Sequence, residues 1–352
     1  MKGKKWSVIL IFSVCMTLAL TGLITCSGKS EKGQVVKLKY GTYAPYGVID
    51  DPILWFIEEA SKKSGIKIEL EKYYAGTLAK PEDCLDAISN NVYQLGWIST
   101  VFTPGRTPLA MIVNGTPLIV PNLYSGLKAA DEIIQKFPAA ANEYEKASIK
   151  YLFHTGVWHY QLISVKPVRS LKDIKGLRIR TFGYLSKAWA ELGGVPVSIP
   201  IPEIYDALQK GTLDGVLTQP ISMHKGLRLS EIAKYYTEVN FGCLPVPVVM
   251  NMNVWNQLPE ILKQKMTDLA KDMPAKADEI IVNSELKILE EMRKEGVKIH
   301  KLSKSDEERI KKEANAITKE VIDNLTSRGA AEAKNVMNTY LKTIAINKKI
   351  EK

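Results

Sequence analysis

The feature that most limits this fold is a switch of hydrophobic period that the chain makes twice. Val36-Lys37-Leu38-Lys39-Tyr40-Gly41-Thr42 alternates apolar and polar side chains, as a half-buried strand does. Residues 50–61 then carry Ile53, Leu54, Phe56, Ile57 and Ala60 at helical spacing. Residues 65–70 alternate again, 81–89 read as helix and 92–97 as strand. The series restarts with strands at 151–154 and 160–164, then 177–180. A helix at 184–192, a strand at 195–198, a helix at 203–208 and a strand at 215–218 complete it. Strands alternating with helices call for a parallel sheet covered by helices, and two such series call for two lobes. The expected fold is therefore α/β with a cleft between lobes, where such folds bind small molecules.

At 352 residues, 45% of them hydrophobic and 24% charged, the chain is long enough for roughly two domains and an ordinary core. From Asn256 the pattern becomes helical. A long run opens at Leu258-Pro259-Glu260 and continues to about Arg293, broken by Met273-Pro274. This is the candidate for a long helix between lobes. A short strand at 297–300, an amphipathic helix at 305–325 and a helical tail over 329–350 follow.

The N-terminus follows other rules. Lys2, Lys4 and Lys5 precede an uncharged run from Trp6 to Thr25, the charge-then-apolar pattern of a secretory signal. The run is also long enough to span a bilayer, so a retained anchor is an alternative. Leu23-Ile24-Thr25-Cys26 resembles a lipoprotein signal, which implies cleavage before Cys26 and lipid on its sulfur. It departs from the usual pattern at Thr25, where Gly, Ala or Ser is common. Residues 27–34 are polar and suit a tether. Every version places the rest of the chain outside the cytoplasm.

Loss of the three lysines lowers the formal charge from +10 to +7, which weakly favours anionic ligands. The basic residues sit in mixed-sign helices, without the arginine–aromatic clusters of a nucleic-acid binder. Cys84 and Cys243 remain after Cys15 and Cys26 are assigned to the leader; their spacing is not metal-like, and two separate buried thiols are expected. His154, His159, His224 and His300 form no paired metal motif, and neither a nucleophile elbow nor a phosphate loop is present. No cofactor, metal or enzymatic activity is expected.

Three blocks, in order, carry a family resemblance. The first is Ser170-Leu171-Lys172-Asp173-Ile174-Lys175-Gly176-Leu177-Arg178-Ile179-Arg180. The second runs from Leu192-Gly193-Gly194 and Pro196 to Glu203-Ile204-Tyr205-Asp206-Ala207-Leu208-Gln209-Lys210-Gly211-Thr212-Leu213-Asp214-Gly215. The third is Trp255-Asn256-Gln257-Leu258-Pro259. Together they resemble the substrate-binding subunits of TRAP transporters, the DctP family. That resemblance implies a periplasmic-binding-protein-like fold, a small organic-acid ligand and integral membrane TRAP subunits as partners. It lays the chain out as signal peptide (1–25), tether (26–34), first lobe (35–157, with part of 246–285 returning to it), second lobe (158–245, with 286–325) and C-terminal helical tail (326–352).

A guanidinium is a planar fork that fits a carboxylate with two hydrogen bonds. The residues alone leave Arg178 and Arg180 as alternatives. The resemblance implies that Arg180 holds the substrate carboxylate. Many relatives carry a second arginine about twenty residues earlier, where this chain has Tyr160, flanked by Trp158 and His159. A phenol donates a hydrogen bond but neutralises no charge. A monocarboxylate is therefore expected rather than a C4-dicarboxylate. After Asp214-Gly215 relatives often continue Gln-Glu-Asn-Pro; here Thr218 and Gln219 are the candidate polar contacts. The first lobe should contribute Tyr43, Ala44 and Tyr46 from one loop and Ser99 and Thr100 from another. Phe182, Tyr184 and Ile201 are further wall candidates.

An ABC-type binding protein and a receptor that presents ligand to a sensor kinase share the two-lobe logic and are the alternatives. The leader makes its own prediction. Metabolic labelling with palmitate should mark the protein, and Cys26→Ala should abolish the label; a label that persists would count against lipidation there.

Overall fold

The computed structural model describes residues 35–327 and 330–347. The basic head, the apolar run, Cys26 and the tether expectation at residues 26–34 lie outside the described residues. In chain order the strands are β1 (Val35–Gly41), β2 (Lys67–Tyr73), β3 (Leu95–Trp97), β4 (Ile149–Val157), β5 (Gln161–Ser164), β6 (Arg178–Arg180), β7 (Val195–Val197), β8 (Gly215–Thr218), β9 (Tyr235–Glu238), β10 (Leu244–Asn251) and β11 (Lys298–Lys301). The α-helices are α1 (Asp51–Ser64), α2 (Cys84–Ser89), α3 (Pro108–Gly115), α4 (Leu123–Lys136), α5 (Pro138–Lys146), α6 (Gly183–Glu191), α7 (Ile204–Gln209), α8 (Met252–Gln257), α9 (Glu260–Ala270), α10 (Met273–Lys294), α11 (Lys304–Ser327) and α12 (Ala333–Asn347).

These elements build two sheets, one per lobe. The first has the order β2-β1-β3-β10-β4 and the second β11-β9-β5-β8-β6-β7. Alternation explains β1: Leu38 and Tyr40 point into the core, while Lys37 and Lys39 stay exposed. The expectation of parallel sheets holds for β1 with its neighbours β2 and β3, and for β6 with β7 and β8. It fails elsewhere. β10 runs antiparallel to both β3 and β4, and β5 runs antiparallel to both β8 and β9.

β10 fills the middle of the first sheet although it contains Pro245 and Pro247. Proline lacks an N–H and is usually kept to sheet edges. Here the carbonyls of these prolines do the bonding: Ile98 N donates to Pro247 O at 3.1 Å, and Asn114 Nδ2 to Pro245 O at 2.9 Å. All eight residues of β10 are buried, which suits a strand covered on both faces.

Two stretches of chain cross between the sheets, 158–160 and 239–243, and they pair with each other. Tyr160 N donates to Gly242 O and Phe241 N to Tyr160 O, both at 3.1 Å. The Gln161 and Asn240 side chains close the same ladder. A third crossing is α10. Ala277 and Ile281 in its first half join one core cluster, and Ile288, Leu289 and Met292 join the second. The long helical run expected from Leu258 is thus two helices. They divide at Lys271 and Asp272, with Pro274 in the first turn of α10, where a missing N–H costs nothing.

Residues 333–347, expected as part of a terminal tail, form α12, which packs on α4 and α3 and buries Val336, Met337 and Tyr340. Cys84 and Cys243 are buried and not joined by a disulfide.

The orientation of α3 depends on a buried acid from α5. Both oxygens of Glu143 accept N–H groups at the start of α3, from Leu109 at 2.8 Å and Ala110 at 3.0 Å. Burial nevertheless pushes the Glu143 carboxyl up to about 7, against the pull of these donors. A raised acid favours the folded state at low pH, and that contribution is lost as the pH climbs from about 4.5 through 7. Urea midpoints at pH 5 and pH 8 should show this fall in the native protein, and Glu143→Gln should flatten it. Glu143→Ala leaves two helix N–H groups without a partner and should cost about 1–3 kcal/mol.

Candidate functional site

The motif residues of the first family block mostly build the platform for Arg180. Asp173 Oδ2 accepts the backbone N–H groups of Arg169 and Ser170, both at 2.9 Å, and ties the turn before β6. Gly176 then takes φ +77°, a backbone state that favours glycine. Gly215 admits β5 alongside β8: a Cβ there would lie 2.4 Å from Ile163 O.

Arg178 and Arg180, the two alternatives of β6, part company here. Arg178 is taken by the scaffold. Its Nε and Nη2 donate to the two oxygens of Asp214 at 3.0 and 3.2 Å, and Nη2 also reaches Gly211 O at 2.8 Å. The pair holds the Asp214 carboxyl below its ordinary range. Arg180 instead lies in the wall of a cavity of about 1210 Å³ that both lobes line.

Arg180 has no such partner. Its Nε is buried without a hydrogen bond, and it joins no ion pair among the described residues. Its guanidinium lies 5.4 Å from the centre of the Phe182 ring, and Tyr160 meets Phe182 edge-on at 5.5 Å. Desolvation lowers the pKa of Arg180, opposed by the neighbouring Tyr160. Burial pushes the Tyr160 phenol up, with the Arg180 charge pulling the other way. Burial also raises Tyr43, whose phenol feels Tyr160 across the cleft. Both phenols are therefore neutral donors at physiological pH.

Arg180, Tyr160, Phe182, Thr218, Gln219, Tyr43, Tyr46 and Ser99, all singled out from sequence, line this one cavity. Ala44, Tyr184 and Ile201 line it as well. Gln219 reaches the Tyr160 phenol, and its Oε1 accepts from Thr218 at 3.2 Å and Ser222 at 2.8 Å. Ser99 donates to Asn114 Oδ1 at 2.8 Å. Tyr46 stands at the exposed rim with its hydroxyl bound to Asp51. The loop that carries Tyr43 and Tyr46 is anchored by Asp50. This buried carboxylate accepts from Tyr40, from Trp97 Nε1 at 3.1 Å and from Gly47 N at 2.8 Å.

Two expected residues are off the wall. Thr100 is fully buried at the start of a short 3-10 turn, while its neighbours Ser99 and Val101 face the cavity. Trp158 packs against both core clusters and lies edge-on to His159, so the crossing chain spends it on packing. Asn114, Ser222, Glu285 and Asn324 are polar wall residues not singled out from sequence. Asn114 closes the apolar run 109–113, and Glu285 is an acid in a helical apolar stripe, so each carried a local signal. Ser222 carried none.

The family described as bacterial extracellular solute-binding protein, family 7 (DctP), matches residues 51–324. The chain belongs to this family. It is a TRAP-type substrate-binding protein, and solved TRAP proteins share its fold. One, from Desulfovibrio salexigens, is 26% identical with a TM-score of 0.75, covering 87% of this chain and 96% of that one. It is an open complex whose ligand site holds the C-terminus of a symmetry mate. Another, from Rhodoferax ferrireducens, is 21% identical with a TM-score of 0.78, covering 90% and 100%, and contains copurified benzoate. The C4-dicarboxylate-binding periplasmic protein DctP of Rhodobacter capsulatus is 26% identical over 231 residues, 63% of this chain and 66% of that protein. No helix among the described residues is long and apolar enough to cross a membrane.

The division of labour on β6 is testable. Arg178→Met should lower the melting temperature by breaking the Asp214 bonds, yet leave organic-acid affinity within a few-fold of wild type in calorimetry.

Proposed function

We propose that this protein captures a small organic acid with a single carboxylate in the interlobe cleft and delivers it to the membrane subunits of a TRAP transporter. The observation that carries the reading is Arg180, a desolvated guanidinium without a carboxylate partner among the described residues, in a mainly apolar wall. A carboxylate arriving there gains charge-assisted hydrogen bonds at low effective dielectric. The neutral phenols of Tyr43 and Tyr160 add donors from opposite lobes, so all contacts form together only when the lobes close on the ligand.

Arg180 is the one cationic side chain on this wall among the described residues. Tyr160 stands where a second cation would be needed for a dicarboxylate, and a phenol does not supply that charge. This separates the expected cargo from the C4-dicarboxylates named for the Rhodobacter relative. No step in the reading makes or breaks a covalent bond. A lipid on Cys26 would hold the receptor beside its membrane partners.

Arg180→Ala should weaken binding of a matching monoacid by about 2–5 kcal/mol in calorimetry. Unchanged affinity would remove the basis of the reading. Arg180→Met should raise the melting temperature of the ligand-free protein, because an uncompensated, desolvated charge is removed. A monoacid should bind more tightly than its dicarboxylate counterpart, butyrate against succinate for example. The reverse order would return the protein to dicarboxylates.

A further inference from the structure

Glu285 is the one acid on the cavity wall among the described residues. It sits halfway along α10, in the buried stripe Ala277, Ile281, Glu285, Ile288, Met292. α10 packs on α1, α4 and β4 of the first lobe, and Ile288, Leu289 and Met292 beyond Glu285 join a cluster drawn from the second lobe, so Glu285 lies near the changeover between lobes. Its side chain exposes no surface to solvent or to the cavity, so a ligand meets the carboxyl only once it turns toward the wall. Oε2 accepts the backbone N–H of Ile221 at 2.8 Å, and Oε1 is buried without a partner.

Holding the Ile221 N–H needs only one oxygen. The second is an unpaired polar atom that an ordinary core residue would not carry, and such atoms in native folds call for a reason. The nearby titratable group is Tyr236, whose hydroxyl is also buried and unpaired. Among the described residues no cation offsets the carboxyl. Burial pushes it up to about 8, against the pull of the Ile221 N–H, so near neutral pH it keeps its proton. A protonated carboxyl both donates and accepts, and a ligand hydroxyl does the same.

We propose that Glu285 is a ligand-contacting, specificity-determining residue that receives a hydroxyl on the part of the ligand Arg180 does not hold, so that the preferred cargo is a hydroxy-substituted monocarboxylic acid. The inference rests on the carboxylate reading of Arg180. Turned toward the cavity, the unpartnered Oε1 serves as acceptor or donor for that hydroxyl, while Oε2 keeps its hold on Ile221. A hydrocarbon tail would leave the oxygen unpaired, and a second carboxylate would meet an acid with no cation beside it.

The test uses the full-length protein and matched pairs of acids, hexanoate with 6-hydroxyhexanoate and 3-phenylpropionate with 3-(3-hydroxyphenyl)propionate, titrated by calorimetry at pH 6.5. Wild type should prefer the hydroxy member of at least one pair about tenfold. Glu285→Gln should retain most of that preference, because an amide also donates and accepts. Glu285→Leu should bind both members of a pair equally. A purely structural Glu285 would instead change both members alike, and an unchanged hydroxyl preference in Glu285→Leu overturns the proposal. So does a wild type that binds plain and hydroxy acids equally well. Should Glu285→Leu not fold, infrared difference spectra of wild type decide. The protonated carboxyl band, absent in Glu285→Gln, should shift with the hydroxy acid and stay put with the plain one; a band indifferent to the hydroxyl overturns the proposal. Failure of the Arg180 reading looks different: both members of each pair would bind Arg180→Ala as tightly as wild type.

Discussion

Two backbone hydrogen bonds at Tyr160 hold the molecule's geometry in place. They zip together the two chain segments that run between the sheets, and the side chain of the same residue stands in the cleft. Everything that faces the cavity is hung from this junction. β5 and β8 continue from it into the second lobe, where Arg180, Thr218 and Gln219 are mounted. β4 and β10 leave it on the other side and fix the first sheet, on which the Tyr43 loop and α3 rest. The third crossing, α10, is anchored in both lobes, and α11 carries the chain back from β11 to α12 on the first, so relative movement of the lobes bends a defined set of four connections.

The chemistry of the cleft follows from what these supports exclude. Apolar walls lower the local dielectric, which makes a single unpaired guanidinium strongly demanding of an anion. Burial also keeps the surrounding phenols neutral, so they donate hydrogen bonds without adding charge. One cation and several neutral donors are the basis of the charge discrimination proposed for this cleft. The neighbouring arginine of the same strand shows the contrast. Arg178 is bound to Asp214 and has become part of the framework.

Much of this was legible in the amino-acid order because period and residue chemistry are local. The first strand, α1, α6 and β8 lie where alternation or helical spacing places them. The family blocks singled out Arg180 from its neighbour, and its freedom from a scaffold partner agrees with that choice. β10 was not legible: two prolines in eight residues read against a central strand, and only the carbonyl bonding seen in three dimensions reconciles them with it. Helix α3 passed unremarked because its run is apolar on all sides, as a buried helix is. Trp158 and Thr100 were placed in the site by proximity in sequence, but the packing of the crossing chain and of the 3-10 turn takes them elsewhere. Glu285 was missed because a lone acid in a long helix looks like solvated surface until the helix is seen to pass between two cores.

The position of β10 also sets an order of assembly. It occupies the slot between β3 and β4 and pairs with β3 across roughly 150 residues of intervening chain, so the first sheet stays split until β5 to β9 of the second have been synthesised. α12, which buttresses α4 and α3, arrives later still. A nascent chain of this topology has no finished N-terminal lobe to fold early. Its first sheet closes only once β10 is made, and a chain whose sheet is still open is one that a narrow membrane pore can pass.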